Sequence, residues 1–170
     1  MHQRHAARIL LGDDGGRVLL LRAGDPARPE AGSWWFTPGG GVRDGESTAT
    51  AARREVPEET GLQVEEMGAV VLRRHFEHQL PGAQILQDED NFLVRCASST
   101  LDEAEWTEAE RQLLEEDRWR TRAELRQTRD TVYPESLAAV VDGLDEHRSR
   151  SRQTVSTPGP PPRGEESGRR

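Results

Sequence analysis

Glu55, Glu58 and Glu59 fall within five residues of one another, near the end of a stretch that reads as a single helix from about Ser47 to Thr60. At about 100° per residue their side chains project within an arc of about 100°, so three carboxylates crowd one side of one turn. The repulsion is relieved by protonation, by spreading into water, or by a bound cation. Gly61 follows as a candidate C-cap, and the carbonyl end of a helix favours positive charge, so a cation would relieve a second penalty as well. No Cys or His lies in the segment. An ion held there is therefore hard and oxygen-seeking, Mg²⁺ first and Mn²⁺ second. Arg54, beside Glu55 and four residues before Glu58, can orient one carboxylate while the others face the ion.

A Glu-rich helix is by itself usually a solvated face. The preceding residues argue for more: Pro38, Gly39, Gly40, Gly41 and Gly45 make a loop whose backbone can approach a ligand closely, and it runs into Ser47, a suitable N-cap. A glycine loop that feeds a cation-binding helix suits phosphate. Pro57 conflicts with this pattern, because inside a helix it removes the bond to the Arg53 carbonyl at a cost of about 3 kcal/mol. The sequence predicts a kink in the last turn that keeps the carboxylates together.

The run Gly40-x5-Glu46-x7-Arg54-Glu55-Val56-x-Glu58-Glu59-x-Gly61-Leu62 resembles the signature of the Nudix hydrolases. The resemblance implies an α/β fold, a mixed β-sheet sandwiched between α-helices, over roughly residues 4–146. It implies hydrolysis of a nucleoside diphosphate linked to another group, with Mg²⁺ held by Glu55, Glu58 and Glu59 and assisted by the Gly40 carbonyl. Glu46 and Arg54 match the first Glu and the Arg of the motif. Such a reaction asks for electrostatic stabilisation and a base for the attacking water. The resemblance places that base among the motif glutamates, Glu55 or Glu58 included, or on a later loop. Asp88, Glu89 and Asp90 are the later acids, and Glu89 is the best match by type, although all three read equally well as exposed loop acids.

The remaining sequence supplies the elements that must position these groups. Ala7–Leu11 and Val18–Leu21 flank Asp13-Asp14-Gly15-Gly16, a hairpin signal. Trp34, Trp35 and Phe36 read as a short strand. Met67–Phe76 and Asn91–Cys96 read as two more, with a hairpin or longer loop between them. A charged helix is expected over Thr107–Leu114, a strand over Arg118–Arg120, and a helix over Ala123–Gln127 capped by Thr121. Pro134 is expected to open a last helix with Leu137, Val140, Val141 and Leu144 on its core face. Residues 1–147 form the expected domain. Residues 148–170, rich in Pro, Gly and Arg, are expected to be disordered.

The chain has 170 residues, 33% of them hydrophobic, and a net charge of −8 with every basic residue an Arg. That charge opposes long nucleic acid, which needs several cationic contacts, whereas a small phosphate ester can arrive with its own Mg²⁺. Cys96 is the only cysteine, and no apolar run is long enough to span a membrane. A cytoplasmic monomer or homodimer is expected. Strand alternation lets only one of Trp34 and Trp35 reach a base, while packing of both in the core is also open. Gly39, Gly41 and Glu46 complete the expected substrate site. Two functions remain open on sequence: a Mg²⁺-dependent pyrophosphohydrolase of a small nucleotide, and a nucleotide-sensing module that binds without turnover.

Overall fold

The computed structural model describes residues 2–24, 29–64, 67–80, 83–96 and 114–144. β1 (His2–Asp13) turns back into β2 (Val18–Gly24) where the sequence places the hairpin. The Asp13 carboxylate closes this turn by accepting from the Arg17 N–H at 2.8 Å, and Gly16 takes the left-handed φ of 76°. β3 (Ser33–Phe36) and β4 (Gly39–Gly41) lead into α1 (Thr48–Thr60). β5 (Val70–Leu80), β6 (Ala83–Cys96), β7 (Leu114–Arg120), α2 (Arg122–Gln127) and β8 (Val132–Tyr133) follow, and residues 137–144 are helical.

Among the described residues the strands form one mixed sheet in the order β5-β6-β1-β2-β3-β8, with β4 on β1 and β7 on β2. β1 and β6 are parallel from the His2–Ile85 pair to the Asp13–Cys96 pair, and β5 and β6 are antiparallel. Apolar residues of the sheet build two cores. Ala7, Ile9 and Leu11 of β1 join Phe92 and Val94 against Ala51, Ala52 and Val56 of α1. Leu10, Leu20 and Trp35 pack with Leu125 of α2 and with Leu137 and Val141. Helices thus cover the sheet on both core-forming sides, as an α/β sandwich requires.

Several elements differ from the sequence reading: Gly39–Gly41, expected as loop, forms β4 on β1, and the strand expected over Met67–Phe76 runs from Val70 to Leu80. The segment expected to be a loop before Asn91 is strand: β6 begins at Ala83, and its polar residues pair across the ladder, with Asp90 meeting Arg73 at 3.2 Å and Asp88 meeting His75 at 2.5 Å. Charged cross-strand pairs take the place of apolar alternation here. Pro134 does not open the last helix; its carbonyl accepts from the Leu137 N–H at 2.9 Å, and helix begins at residue 137. β7 is longer than Arg118–Arg120 and already includes Leu114. The rest of the expected helix, residues 107–113, lies outside the described residues, as does the tail 148–170.

Thr121 caps α2 with a reciprocal box: its hydroxyl accepts from the Glu124 N–H at 3.3 Å, and the Glu124 carboxylate accepts from the Thr121 N–H at 2.7 Å. The Thr121 backbone bond and then its hydroxyl hold the Glu124 carboxyl below its ordinary range. A depressed folded pKa gives stability that is present above the unfolded value and lost as pH falls through the folded one. Glu124→Gln is therefore expected to flatten the acid limb of the stability curve, read as thermal midpoints from pH 6 down to pH 3.

Candidate active site

The chain reaches α1 through backbone that only glycine permits. At Gly39 φ is 134°, and a Cβ would strike the Ala7 and Arg8 backbone of β1. A Cβ on Gly40 would strike the Glu55 carboxylate. Ser47 caps the helix, its hydroxyl accepting from the Thr50 N–H at 3.1 Å, and Gly61 ends it at φ 67°. The helix is continuous from Thr48 to Thr60 with Pro57 inside it.

One guanidinium organises the acids. Arg54 grips Glu46 in two places, Nε at 2.9 Å and Nη2 at 3.0 Å, and Nη2 also donates to the Gly41 carbonyl at 3.1 Å. Its Nη1 donates to Glu55 at 2.5 Å and to Glu58 at 3.1 Å. The bonds from Arg54 and from the Arg43 N–H pull the Glu46 pKa down to about 2. For Glu55 burial dominates and pushes the pKa up, against the opposing pull of Arg54. Glu59 is buried and accepts from the Gly39 N–H at 2.5 Å. Glu58 is half-exposed and also approaches Arg43 at 3.8 Å.

Gly40, Gly41 and Glu59 border a cleft of about 810 Å³. β1 lines it with alternate residues, Arg4, Ala6 and Arg8. β6 adds Gln87 and Glu89, and β5 adds Arg74 and Phe76. Glu89 is 5% exposed and sits between two cations, Arg74 at 2.9 Å and Arg8 at 3.5 Å. It is thus a strand residue in the cleft. Its neighbours Asp88 and Asp90 do not line the cleft; Asp90 accepts from the Thr48 hydroxyl at 2.8 Å.

The two tryptophans part as alternation requires. Trp34 lines the cleft with Phe36 and Tyr133, whereas Trp35 is buried in the second core with the Arg120 guanidinium 4.6 Å from its ring centre. Trp35 is therefore out of reach of a molecule in the cleft. Sequence reasoning missed Arg4, Arg8 and Arg74. The signal lay in the spacing of Arg4 and Arg8 at one strand parity beside apolar Ala7 and Ile9 at the other.

A NUDIX domain model matches residues 1–140. The chain belongs to the Nudix family. Solved structures of similar fold include the E. coli ORF135 protein, with TM-score 0.59 and 20% identity over 88% of this chain and 94% of that one. A MutT protein from Methanosarcina mazei Go1 gives TM-score 0.58 and 22% identity over 86% of this chain and 96% of that one. An RNA pyrophosphohydrolase from Dinoroseobacter shibae is 41% identical over 64 residues, which is 38% of each protein. The aligned part is thus well under half the length of that curated relative.

Nudix hydrolases generally use a divalent metal, and the donors of this Nudix chain fit one by chemistry: all are oxygens, and Glu55 carries the desolvation that a cation would offset. Among the described residues no three acidic, His or Cys side chains are already gathered for an ion. The three glutamates expected to converge are instead spread, Glu55 and Glu58 onto Arg54 and Glu59 onto the Gly39 N–H. Arg54→Leu removes the partner of three carboxylates and is expected to lower unfolding free energy at neutral pH by about 3 kcal/mol, measured by urea denaturation.

Proposed function

We propose that this chain is a divalent-cation-dependent pyrophosphohydrolase acting on a small nucleotide, such as a nucleoside triphosphate or a nucleotide sugar. The observation that carries this reading is that one cleft joins the buried end of the acidic helix, Glu59 with Gly40 and Gly41, to three arginines and a buried glutamate on the facing strands. Glu55, Glu58, Glu59 and the Gly40 carbonyl would hold the cation, Mg²⁺ by preference. When bound, the cation neutralises phosphate charge and acidifies water beside it.

The chain's own residues do the rest. Arg4, Arg8 and Arg74 draw the phosphates into the cleft, and their forks orient phosphate oxygens. The backbone at Gly39 and Gly41 lets those oxygens come close. Water attacks phosphorus, the anhydride P–O bond breaks, and the departing phosphate keeps the bridging oxygen. Glu89, held by Arg74 and Arg8, would take the proton of that water, and Glu58 is the alternative base. Arg54, held by Glu46, positions Glu55 and Glu58. Trp34 offers a face for a nucleobase, while Trp35 anchors the strand that presents it.

Arg54 already neutralises part of the acidic cluster, which favours a second reading: a nucleotide sensor that binds without turnover. The acidic surface, at net charge −8, keeps both readings on small ligands, in a cytoplasmic monomer or homodimer. A panel of nucleotides with Mg²⁺ or Mn²⁺ separates the two. The wild-type chain is expected to release phosphate or pyrophosphate, and Glu58→Gln and Glu89→Gln are each expected to lower kcat by about 10²- to 10⁴-fold. Nucleotide binding without turnover under either cation would replace the enzyme by the sensor.

A further inference from the structure

Gln87 is 6% exposed, lines the cleft, and has no hydrogen-bond partner for its side-chain amide among the described residues. Its amide atoms are not among the fully enclosed unpartnered ones, so water in the open cleft can serve them, and a ligand that displaces this water has to replace its bonds. An amide opening onto a cleft wide enough for a nucleotide is satisfied by whatever binds there.

The sheet register fixes its company. Gln87 lies directly between Arg4 of β1 and Phe76 of β5, and all three line the cleft. The next cleft-facing row is Ala6, Glu89 and Arg74, about 6.7 Å further along the strands. Ala6 is also the residue paired with Gly41, so the Glu89 row lies at the level of the glycine loop and the Gln87 row one step beyond it. Phosphates at the loop would leave the rest of the ligand over Gln87.

The chemistry of an amide narrows the ligand. A phosphate oxygen only accepts, and the cleft already holds three arginines to serve it. An amide carries a donor beside an acceptor, and both are satisfied at once by a flat edge carrying the complementary pair, as a nucleobase does. Phe76 supplies apolar surface at the next position. Resting on the nucleotide reading above, we infer that Gln87 reads the base edge of the substrate and sets which nucleotide the cleft prefers.

The test reads binding, so it does not depend on turnover. Affinities of α,β-methylene analogues of the four ribonucleoside triphosphates and of base-free ribose 5-triphosphate are measured with Mg²⁺ for the wild-type chain, Gln87→Leu and Gln87→Glu. The wild type is expected to spread the four bases over about tenfold or more, and Gln87→Leu to compress that spread to about twofold with base-free ligand unaffected. Gln87→Glu, which keeps the size and loses the donor, is expected to reorder the bases. Thermal melts confirm that both variants fold. An unchanged spread in both variants, an equal loss on the base-free ligand, or a wild type that binds all four alike or none overturns the inference. A wild type that shows the expected spread yet hydrolyses nothing with Mg²⁺ or Mn²⁺ upholds the inference and overturns the enzymatic reading alone.

Discussion

Arg54 ties two pieces of chain into one object. Its guanidinium spans from Glu46 and the Gly41 carbonyl, which belong to the loop, to Glu55 and Glu58, which belong to the helix. One positive charge faces three negative ones, and at an effective dielectric near 20 each close pair is worth about 4 kcal/mol before desolvation is counted. The local balance stays negative. Positive charge from elsewhere is favoured beside these acids, and Arg43, 3.8 Å from Glu58, is one such charge.

The glycines are the geometric counterpart of that charge. Gly39 lies against β1 where a methyl group would meet backbone, and Gly40 leaves room for Glu55. Arg8 then seals the junction by donating to the Gly39 carbonyl at 2.9 Å. Strand, loop and helix thus meet at close range, tied by the Arg8 and Arg54 side chains and by the bond from the Gly39 N–H to Glu59. The same close approach buries Glu55, and burial is what makes its charge costly without a cation.

Much of this was legible in the residues. Ser47 and Gly61 bracket a helix whose ends the structure reproduces to within a residue, and Asp13 to Gly16 make the turn their types demand. These are local signals, set by hydroxyl acceptors and by φ. What stayed hidden depended on distant partners. The segment from Gln84 to Asp90 carries no apolar alternation, and only the register with β1 and β5 shows that Arg4, Arg74 and Glu89 meet on one side while His75 and Asp88 meet on the other. Trp34 and Trp35 posed a simpler case. Alternation said that one of them faces away, but which one depended on where α2 and the helix at residues 137–144 pack.

The parallel pairing of β1 with β6 has a cost in time. Residues 2–13 find their partners more than eighty positions later, across a hairpin, a loop and a helix, and a parallel pair has no tight turn to nucleate it. Closing so large a span loses chain entropy before any contact returns it. One edge of the first strand is served by the nearby β2 and β4, so it is the other edge whose backbone stays open until β6 arrives. The cationic row of β1 and the acid of β6 that together shape the cleft come into register only through this parallel pair, so the cleft depends on the longest-range pairing of the sheet.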